Sequence, residues 1–240
     1  MATLFISDLH LSAEQPGTIG LFLDFLAERA AGAEALYILG DLFEAWLGDD
    51  LLLPGYEPVL EALQRLSSGG TALYVMQGNR DFLLGERFCE QSGATLIDDP
   101  TVIDLYGIPT LLMHGDLLCT DDLPYLAMRR QLRDPQWIAA FLAKSPQERI
   151  DFARELRERS KRETGEKSEA IMDVNADAVT HTMRAHGVQR LIHGHTHRPA
   201  VHRFELDGTA RHRYVLHDWY DAHGGVLVCD ESGCELQAIG

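Results

Sequence analysis

The chain has 240 residues, with 37 acidic and 21 basic side chains and a formal net charge of −16. This balance argues against general nucleic-acid binding, because a nucleic-acid site needs a basic surface against the phosphate backbone. Hydrophobic residues make up 45% of the chain, but no apolar run approaches the roughly 18 residues needed to span a bilayer. We expect one globular cytoplasmic domain over residues 1–240, with no signal peptide at the N-terminus.

Five short apolar runs predict buried strands, at residues 3–6, 35–39, 71–76, 108–113 and 191–192. Apolar residues at helical spacing predict helices at 18–31 and 57–66. Side chains of metal-binding type follow all five strands: Asp8 and His10, Asp41, Asn79, His114, and His195 with His197. Because functional groups gather beyond the carboxyl ends of strands in α/β sheets, we expect these side chains to meet at one edge.

These seven side chains are oxygen and nitrogen donors without a thiolate, which excludes a cysteine-type structural zinc site. The donor set favours Mn²⁺, with Fe and Zn as alternatives. Seven ligands are too many for one four-coordinate ion with an open position, so the set indicates two ions that share a carboxylate. Paired ions about 3.5–4 Å apart serve displacement reactions at phosphorus. Arg80 offers a planar fork to phosphate oxygens, and the alternative for it is a surface ion pair with Asp81.

Residues 121–175 differ from the rest of the chain, because they show amphipathic helices and no strand. Between Asp121 and Ala170 there are eleven basic and ten acidic residues, a net charge of +1, which leaves ten basic and twenty-seven acidic residues elsewhere. The run from Ser145 to Glu148 has the pattern of a capping box with proline at the first helical position. We therefore predict a helical insertion that is far more basic than its host.

The last part of the chain, residues 201–239, has short alternating segments that predict antiparallel strands of a second sheet. Trp46 and residues 51–53 form an apolar patch, which is either core or the mouth of an apolar channel. The cysteines show no CxxC pair and no regular spacing, so we expect four reduced thiols: Cys89, Cys119, Cys229 and Cys234.

Five sequence blocks resemble those of the calcineurin-like metallophosphoesterases, in that family's order: Asp8-x-His10, Gly40-Asp41, Gly78-Asn79, His114 and Gly194-His195-x-His197. The resemblance implies an α/β fold, a four-layer αββα sandwich with residues 121–175 as a helical lid insertion. It implies that one ion is held by Asp8, His10, Asp41 and His197. It implies that the other ion is held by Asp41, Asn79, His114 and His195, with Asp41 bridging the two.

One block departs from the common family pattern, because Arg80 stands where many members have a histidine after the asparagine. With the His114 block and the basic insertion, this variant resembles the UDP-2,3-diacylglucosamine pyrophosphatases of lipid A biosynthesis. The resemblance implies two Mn²⁺ ions and an activated water that attacks the α-phosphorus of UDP-2,3-diacylglucosamine. The products would be UMP and 2,3-diacylglucosamine 1-phosphate (lipid X), and the catalytic residues would be Asp41, Arg80 and His195.

The same resemblance gives the insertion a role, because an apolar lid would sheath the acyl chains of the substrate. The implied substrate contacts are Asn79, Arg80, Asp122, Arg157, Ser160, Thr164, Lys167 and His195. From spacing alone, a solvated helix face explains Ser160, Thr164 and Lys167 at least as well. A basic lid also suits a peripheral position on the anionic cytoplasmic face of the inner membrane, for a protein that we expect to be monomeric.

Two other functions remain open at this point. One is another hydrolase on the same scaffold, acting on a nucleotide polyphosphate or as a phosphodiesterase, although a water-soluble nucleotide needs no apolar lid. The other is a non-catalytic scaffold that binds a partner protein. Such proteins typically lose metal ligands, whereas every ligand position is filled in this sequence.

Overall fold

The computed structural model describes residues 2–166 and 173–240, without the side chains of residues 160–166. The strands are β1 Thr3–Ile6, β2 Ala35–Leu39, β3 Ala72–Met76, β4 Thr95–Ile97, β5 Thr101–Leu105, β6 Ile108–Leu112, β7 Arg190–His193, β8 Ala200–Leu206, β9 Thr209–Val215, β10 Gly224–Asp230 and β11 Gly233–Ile239. The α-helices are α1 Pro16–Phe25, α2 Glu57–Ser68, α3 Glu86–Ser92, α4 Leu123–Leu132, α5 Pro135–Leu142, α6 Pro146–Glu166 and α7 Ala176–Ala185, and a π-helical turn at Leu26–Ala30 extends α1.

The strands form two sheets. The first has six strands in the order β11-β10-β1-β2-β3-β4, in which β1 to β4 pair in parallel. The second has five strands in the order β5-β6-β7-β9-β8, and its central strands β6, β7 and β9 are also parallel. The second sheet that the sequence predicted is present. Of the C-terminal strands, β8 and β9 join this second sheet, whereas β10 and β11 join the first.

Three apolar clusters divide the molecule into four layers. The first cluster lies between helices α1 to α3 and the first sheet and includes Phe22 and Val59. The second, which includes Phe5 and Ile192, fills the space between the sheets. The third packs α7 against the outer face of the second sheet and includes Met183. The predicted αββα sandwich is therefore confirmed.

The five strands with functional side chains at their ends lie in both sheets. Strands β1, β2 and β3 belong to the first sheet, and β6 and β7 belong to the second. The prediction of a single sheet edge was therefore wrong in detail, because the strand ends converge from two stacked sheets. A sequence pattern specifies that a strand is buried, but it does not specify which sheet the strand joins.

Helices α4, α5 and α6 lie between β6 and β7, as the insertion pattern predicted. Asp122 and Asp134 cap the first two helices by accepting hydrogen bonds from backbone N–H groups of their first turns. The capping box is confirmed, since the Ser145 backbone N–H donates to Glu148 at 2.9 Å and the Glu148 N–H donates to the Ser145 hydroxyl at 3.4 Å. No helix in the described parts of the chain is long and apolar enough to cross a membrane.

The expectation of four reduced cysteines was wrong for one pair, because Cys229 and Cys234 form a disulfide. They face each other in the β10–β11 hairpin, where their Cα atoms lie 4.1 Å apart. Hairpin register brings them together, and sequence spacing alone gives no sign of that register. Cys89 and Cys119 are reduced, as expected.

Candidate metal centre

Short loops after strands β1, β2 and β7 hold most of the predicted ligands in a strained backbone conformation. Eight non-glycine residues in the described ranges have a positive φ, and five of them are predicted ligands: Asp8, His10, Asp41, His195 and His197. Left-handed backbone is unfavourable for such residues and concentrates at functional sites. The unfavourable backbone conformations therefore lie mostly at the predicted metal ligands.

The first group of side chains consists of Asp8, His10 and His197, whose ligand atoms all lie within 4.8 Å of one another. Asp8 is fully buried, and its Oδ2 accepts hydrogen bonds from the Ser7 hydroxyl at 2.6 Å and from the His195 N–H at 2.8 Å. Its Oδ1 is buried without a hydrogen-bond partner and lies 3.6 Å from Nε2 of His197. An orphaned, buried carboxylate oxygen among imidazoles is the environment that a cation satisfies.

The second group contains Asp8, Asp41 and His114, all buried. Asn79 and His195 adjoin it, because the Asn79 Oδ1 lies 2.9 Å from Nε2 of His114 and 3.0 Å from Nδ1 of His195. Asp8 is thus common to both groups, whereas the family resemblance places Asp41 in the shared position. Asp41 also lies between the groups, since its Oδ2 is 3.8 Å from Nε2 of His10 and 3.8 Å from Nε2 of His114.

In its neutral form, the His114 ring points a lone pair, rather than an N–H group, into the centre. Nδ1 of His114 lies 3.0 Å from the Leu39 carbonyl oxygen, to which only its N–H can donate. This assignment leaves Nε2 as an acceptor that faces the Asn79 oxygen, another acceptor. Metal-binding histidines typically donate their second ring N–H to a carbonyl or carboxylate in this way. The donor set therefore fits divalent cations, and Asp8, His10, Asp41, Asn79, His114, His195 and His197 are the residues that would hold them.

The electrostatics of the centre favour positive charge. Burial lowers the pKa of His114, but the carboxylates of Asp41 and Asp8 outweigh it and raise the pKa to about 9. For His197, burial likewise lowers the pKa, while Asp218 and Asp8 raise it to about 10. Burial and the neighbouring His114 lower the pKa of His195 to about 4, so this ring is neutral and able to act as a ligand.

Two glycines allow the ligand loops to approach each other. A Cβ on Gly78 would collide with the Asp41 carboxylate, and a Cβ on Gly194 would collide with the Asp8 carboxylate and the Ser7 side chain. These contacts explain why both ligand blocks pair a glycine with the functional residue.

Asp81 does not form the surface ion pair with Arg80 that the sequence analysis gave as an alternative. It is fully buried, and its carboxylate accepts backbone N–H groups of Gly78, Leu42 and Phe43 at 2.8, 2.8 and 3.3 Å. Burial, followed by the Asp41 carboxylate, raises the pKa of Asp81 to about 6. Asp81 thereby ties the loop of Asn79 to the loop of Asp41, and the ion-pair alternative for Arg80 was wrong.

Two carboxylates that the sequence analysis did not assign support the histidines. Glu44 Oε2 lies 3.3 Å from Nδ1 of His10, and its Oε1 lies 3.0 Å from Nε of Arg157 and 4.0 Å from Arg80. Asp218 Oδ2 lies 3.3 Å from Nδ1 of His197. The position of Glu44, three residues after Asp41, is the only sequence signal for either of them.

Two cavities with shared lining residues adjoin the centre. A polar cavity of about 570 Å³ includes His10, Asp41, Asn79, His195 and His197 in its lining, with Asp122, Arg80 and Arg157 nearby on its walls. An apolar cavity of about 340 Å³ lies under the insertion and is lined in part by Trp46, Leu53, Phe82, Trp137, Phe141 and Phe152. Both cavities share Glu44, Asn79, Arg80, Leu156 and Arg157. Trp46 and Leu53 therefore belong to the core beside the first sheet and also line the apolar cavity, so both alternatives for this patch hold.

The predicted substrate contacts have different surroundings. Asn79, Arg80, Asp122, Arg157 and His195 all line the polar cavity. Asp122 also caps α4, because its carboxylate accepts the Tyr125 N–H at 3.2 Å. The side chains of Ser160 and Thr164, and the whole of Lys167, lie outside the described residues.

With this geometry established, comparisons with known proteins identify the family. A model of the calcineurin-like phosphoesterases matches residues 1–199. The chain belongs to the calcineurin-like phosphoesterase family. This match covers every predicted metal ligand and the whole insertion.

Similar members of the calcineurin-like phosphoesterase family include curated proteins named UDP-2,3-diacylglucosamine hydrolase. The protein from Pseudomonas paraeruginosa is 52% identical over 235 residues, which cover 97% of each chain. The one from Marinobacter nauticus is 52% identical over 219 residues, covering 91% of this chain and 90% of the relative. The one from Stenotrophomonas maltophilia is 50% identical and covers 100% of this chain and 99% of its own.

Proposed function

We propose that this phosphoesterase hydrolyses the pyrophosphate bond of UDP-2,3-diacylglucosamine, giving UMP and 2,3-diacylglucosamine 1-phosphate (lipid X) for lipid A biosynthesis. The observation that carries the proposal is that Arg80 and Arg157 line both the polar and the apolar cavity. A nucleotide diphosphate fits the polar cavity beside the metal centre, and acyl chains fit the apolar one. The names of the relatives support the same substrate.

We further propose that the cofactor is a pair of Mn²⁺ ions held by the seven ligands. When bound, such a pair supplies a deprotonated water at neutral pH and compensates the negative charge of the phosphates. Asp41 is the proposed bridging ligand. His195, which is neutral in its buried position, remains available as a ligand and lines the cavity in which the phosphate lies.

Arg80 and Arg157 have the chemistry to orient the diphosphate. Both guanidinium groups lie near Glu44, which holds them at the junction of the cavities. A planar guanidinium binds two phosphate oxygens at once and keeps the α-phosphorus facing the centre. A phosphate leaving group needs less help from a proton donor than an alkoxide, which is consistent with Arg80 replacing the common histidine.

The insertion, residues 121–175, is the proposed lid over the acyl chains within a single domain of residues 1–240. Ring contacts among Trp137, Phe141 and Phe152 at 5.0 to 5.7 Å build its apolar face. Asp122, Ser160, Thr164 and Lys167 are the proposed contacts to the glucosamine and its phosphate. We also propose that the protein is a monomer on the cytoplasmic face of the inner membrane, where the substrate is embedded.

The test is hydrolysis of UDP-2,3-diacylglucosamine in H₂¹⁸O by the Mn²⁺-loaded protein, with unacylated UDP-glucosamine and a dinucleotide polyphosphate as competitors. Attack at the α-phosphorus places the label in UMP, and the apolar cavity predicts a preference of at least about tenfold for the acylated substrate. Label in the sugar phosphate would contradict the reaction. Equal turnover of the soluble nucleotides would favour the other hydrolases considered above, and a folded, inert protein with Mn²⁺ bound would favour a scaffold.

A further inference from the structure

A row of basic residues crosses the second sheet away from the metal centre. The strand register places Arg190 of β7 directly opposite His212 of β9, and His212 directly opposite Arg203 of β8. Residues in such positions project from the same face of a sheet, with Cβ atoms about 5 Å apart. We call Arg190, His212 and Arg203 the basic row.

The basic row lacks acidic partners, although the chain as a whole carries a net charge of −16. In the described ranges no carboxylate lies within 4.0 Å of its guanidinium or imidazole nitrogens. Glu205 follows Arg203 on the same face of β8 and forms no ion pair with the row. Burial, then Arg203 and Arg190, lower the pKa of His212, so the charges that it faces are positive.

Two features of the row are unfavourable in the protein alone. Arg190 and Arg203 flank His212 on either side, and their two positive charges disfavour the charged form of its imidazole. In addition, Nη1 of Arg190 is buried without a hydrogen-bond partner, which leaves a strong donor unsatisfied. A bound oxyanion removes the first penalty, because it offsets the positive charges of Arg190 and Arg203.

We propose that the basic row binds an oxyanion of the phosphate class, as a site separate from the metal centre. None of its three residues lines either of the cavities that include the ligands. Arg190 and Arg203 supply planar forks that suit tetrahedral oxyanions, and His212 supplies a third donor. The anion is either a free phosphate group or the phosphate of an anionic lipid, and the two sources are separated by experiment.

The experiment follows the His212 imidazole by NMR in the full chain loaded with diamagnetic Mg²⁺ while inorganic phosphate is added. The signal is identified by its loss in His212→Gln. We expect a saturable shift, and we expect Arg203→Gln to weaken the apparent affinity by about tenfold or more. Phosphate that binds at the metal centre does not interfere, because the reporter lies outside both cavities.

Arg211→Gln is the matched control, because Arg211 is the next residue on β9 and faces the opposite side of the sheet. Like Arg190, it has no ion pair within the described part of the chain and has buried guanidinium nitrogens without a hydrogen-bond partner, so it separates the basic row from an unsatisfied arginine elsewhere in the sheet. Arg211→Gln should change the apparent affinity for inorganic phosphate by less than about twofold. Absence of a saturable shift, or an equal loss in Arg211→Gln, overturns the proposal. These readouts do not involve turnover, so they are independent of the proposed reaction.

A second arm measures co-sedimentation with phosphatidylcholine vesicles that do or do not contain phosphatidylglycerol. Binding to the phosphatidylglycerol vesicles that falls in Arg203→Gln, but not in Arg211→Gln, identifies a lipid phosphate as the source. A phosphate-dependent shift without that vesicle dependence identifies a free phosphate group. Either result supports the site.

Discussion

The Nε2 atoms of His10 and His197 lie 3.4 Å apart, although 187 positions separate the two residues. Each ring turns its Nδ1 toward a carboxylate, Glu44 for His10 and Asp218 for His197, at 3.3 Å in both cases. With both rings neutral, the facing nitrogens present two lone pairs to the space between them, an arrangement that a bound cation satisfies. This pair of carboxylate-supported histidines is one half of the proposed dimetal centre.

Asp218→Asn should weaken metal binding without abolishing the fold. The carboxylate orients His197 and increases its basicity, and loss of such support typically costs about 10- to 100-fold in metal affinity. Mn²⁺ titration monitored by activity and by calorimetry measures the change. Asp24→Asn, on the exposed side of α1, is the control and should bind Mn²⁺ like the unaltered protein. Equal affinities in the two variants would show that His197 does not need Asp218.

Removal of divalent ions should abolish turnover and lower the melting temperature. Without the ions, no cation offsets the desolvation of the buried side chains of Asp8, Asp41 and His114. In addition, an ion that binds only the native state stabilises that state by mass action. At 100 times its dissociation constant, the ion contributes about 2.7 kcal/mol. The measurement is a thermal melt with a chelator and after restoration with Mn²⁺. A melting temperature that does not respond to Mn²⁺ would count against a structural contribution of the ions.

Gly78→Ala should destabilise the protein and reduce metal occupancy, because the new Cβ collides with the Asp41 carboxylate. Overpacking of this kind costs about 1–3 kcal/mol. Gly20→Ala is the contrasting variant, since Gly20 lies within α1 and a Cβ there has no heavy atom within 4 Å. It should stabilise the protein by about 0.5–1 kcal/mol. Urea unfolding and a metal-content assay of both variants measure the difference. Equal changes in the free energy of unfolding and in metal content would refute the claim that Gly78 is needed for the close approach to Asp41.

Trp137→Ala should raise the KM for the diacylated substrate more than it changes the turnover of unacylated UDP-glucosamine. Trp137 lines the apolar cavity and stacks on Phe141 at 5.0 Å. Loss of this large, half-buried aromatic side chain removes apolar contact surface, part of which is available to bound acyl chains. Leu123→Ala is the control in the same insertion, because Leu123 is 69% exposed and lines neither cavity. An unchanged KM in Trp137→Ala would remove the acyl-binding role of this cavity.

The ion pair between Arg149 of α6 and Asp50 should give stability that is lost in acid. Arg149 is buried and also donates to the Leu47 carbonyl at 2.7 Å, whereas the Asp50 side chain is 61% exposed. The hydrogen bond from Arg149 lowers the pKa of Asp50 below 3.8. The ion pair therefore contributes its full stabilisation at neutral pH, and this stabilisation disappears as the pH falls through the native pKa of Asp50. Exposure to solvent keeps the effect small.

The measurement for this pair is the free energy of unfolding of the unaltered protein and of Asp50→Asn between pH 7 and pH 3. The difference between the two proteins should be greatest at neutral pH and should shrink in acid. Asp151→Asn, which removes an exposed carboxylate from α6, should show no such trend. A difference that grows as the pH falls would contradict the sign of the shift.

Local sequence patterns were sufficient for the five strands that precede the candidate ligands, and they indicated which side chains to consider as ligands. Apolar runs located β1, β2, β3, β6 and β7, and the capping box of Ser145 and Glu148 marked the start of α6. The glycines beside Asn79 and His195 indicated tight loops at the strand ends. These features depend on contacts between near neighbours in the chain, and for this reason they can be recognised from residue order alone.

Contacts between distant segments required the tertiary structure. The assignment of strands to two sheets and the hydrogen bonds that Asp81 accepts from the backbone of Leu42 and Phe43 depend on packing. The disulfide between Cys229 and Cys234 spans only five positions, but it depends on the register of the β10–β11 hairpin. The same holds for the carboxylates of Glu44 and Asp218, which occur in the sequence without a pattern that links them to His10 and His197. The free energy of a long-range contact depends on which surfaces the folded chain brings together, and linear spacing does not encode that geometry.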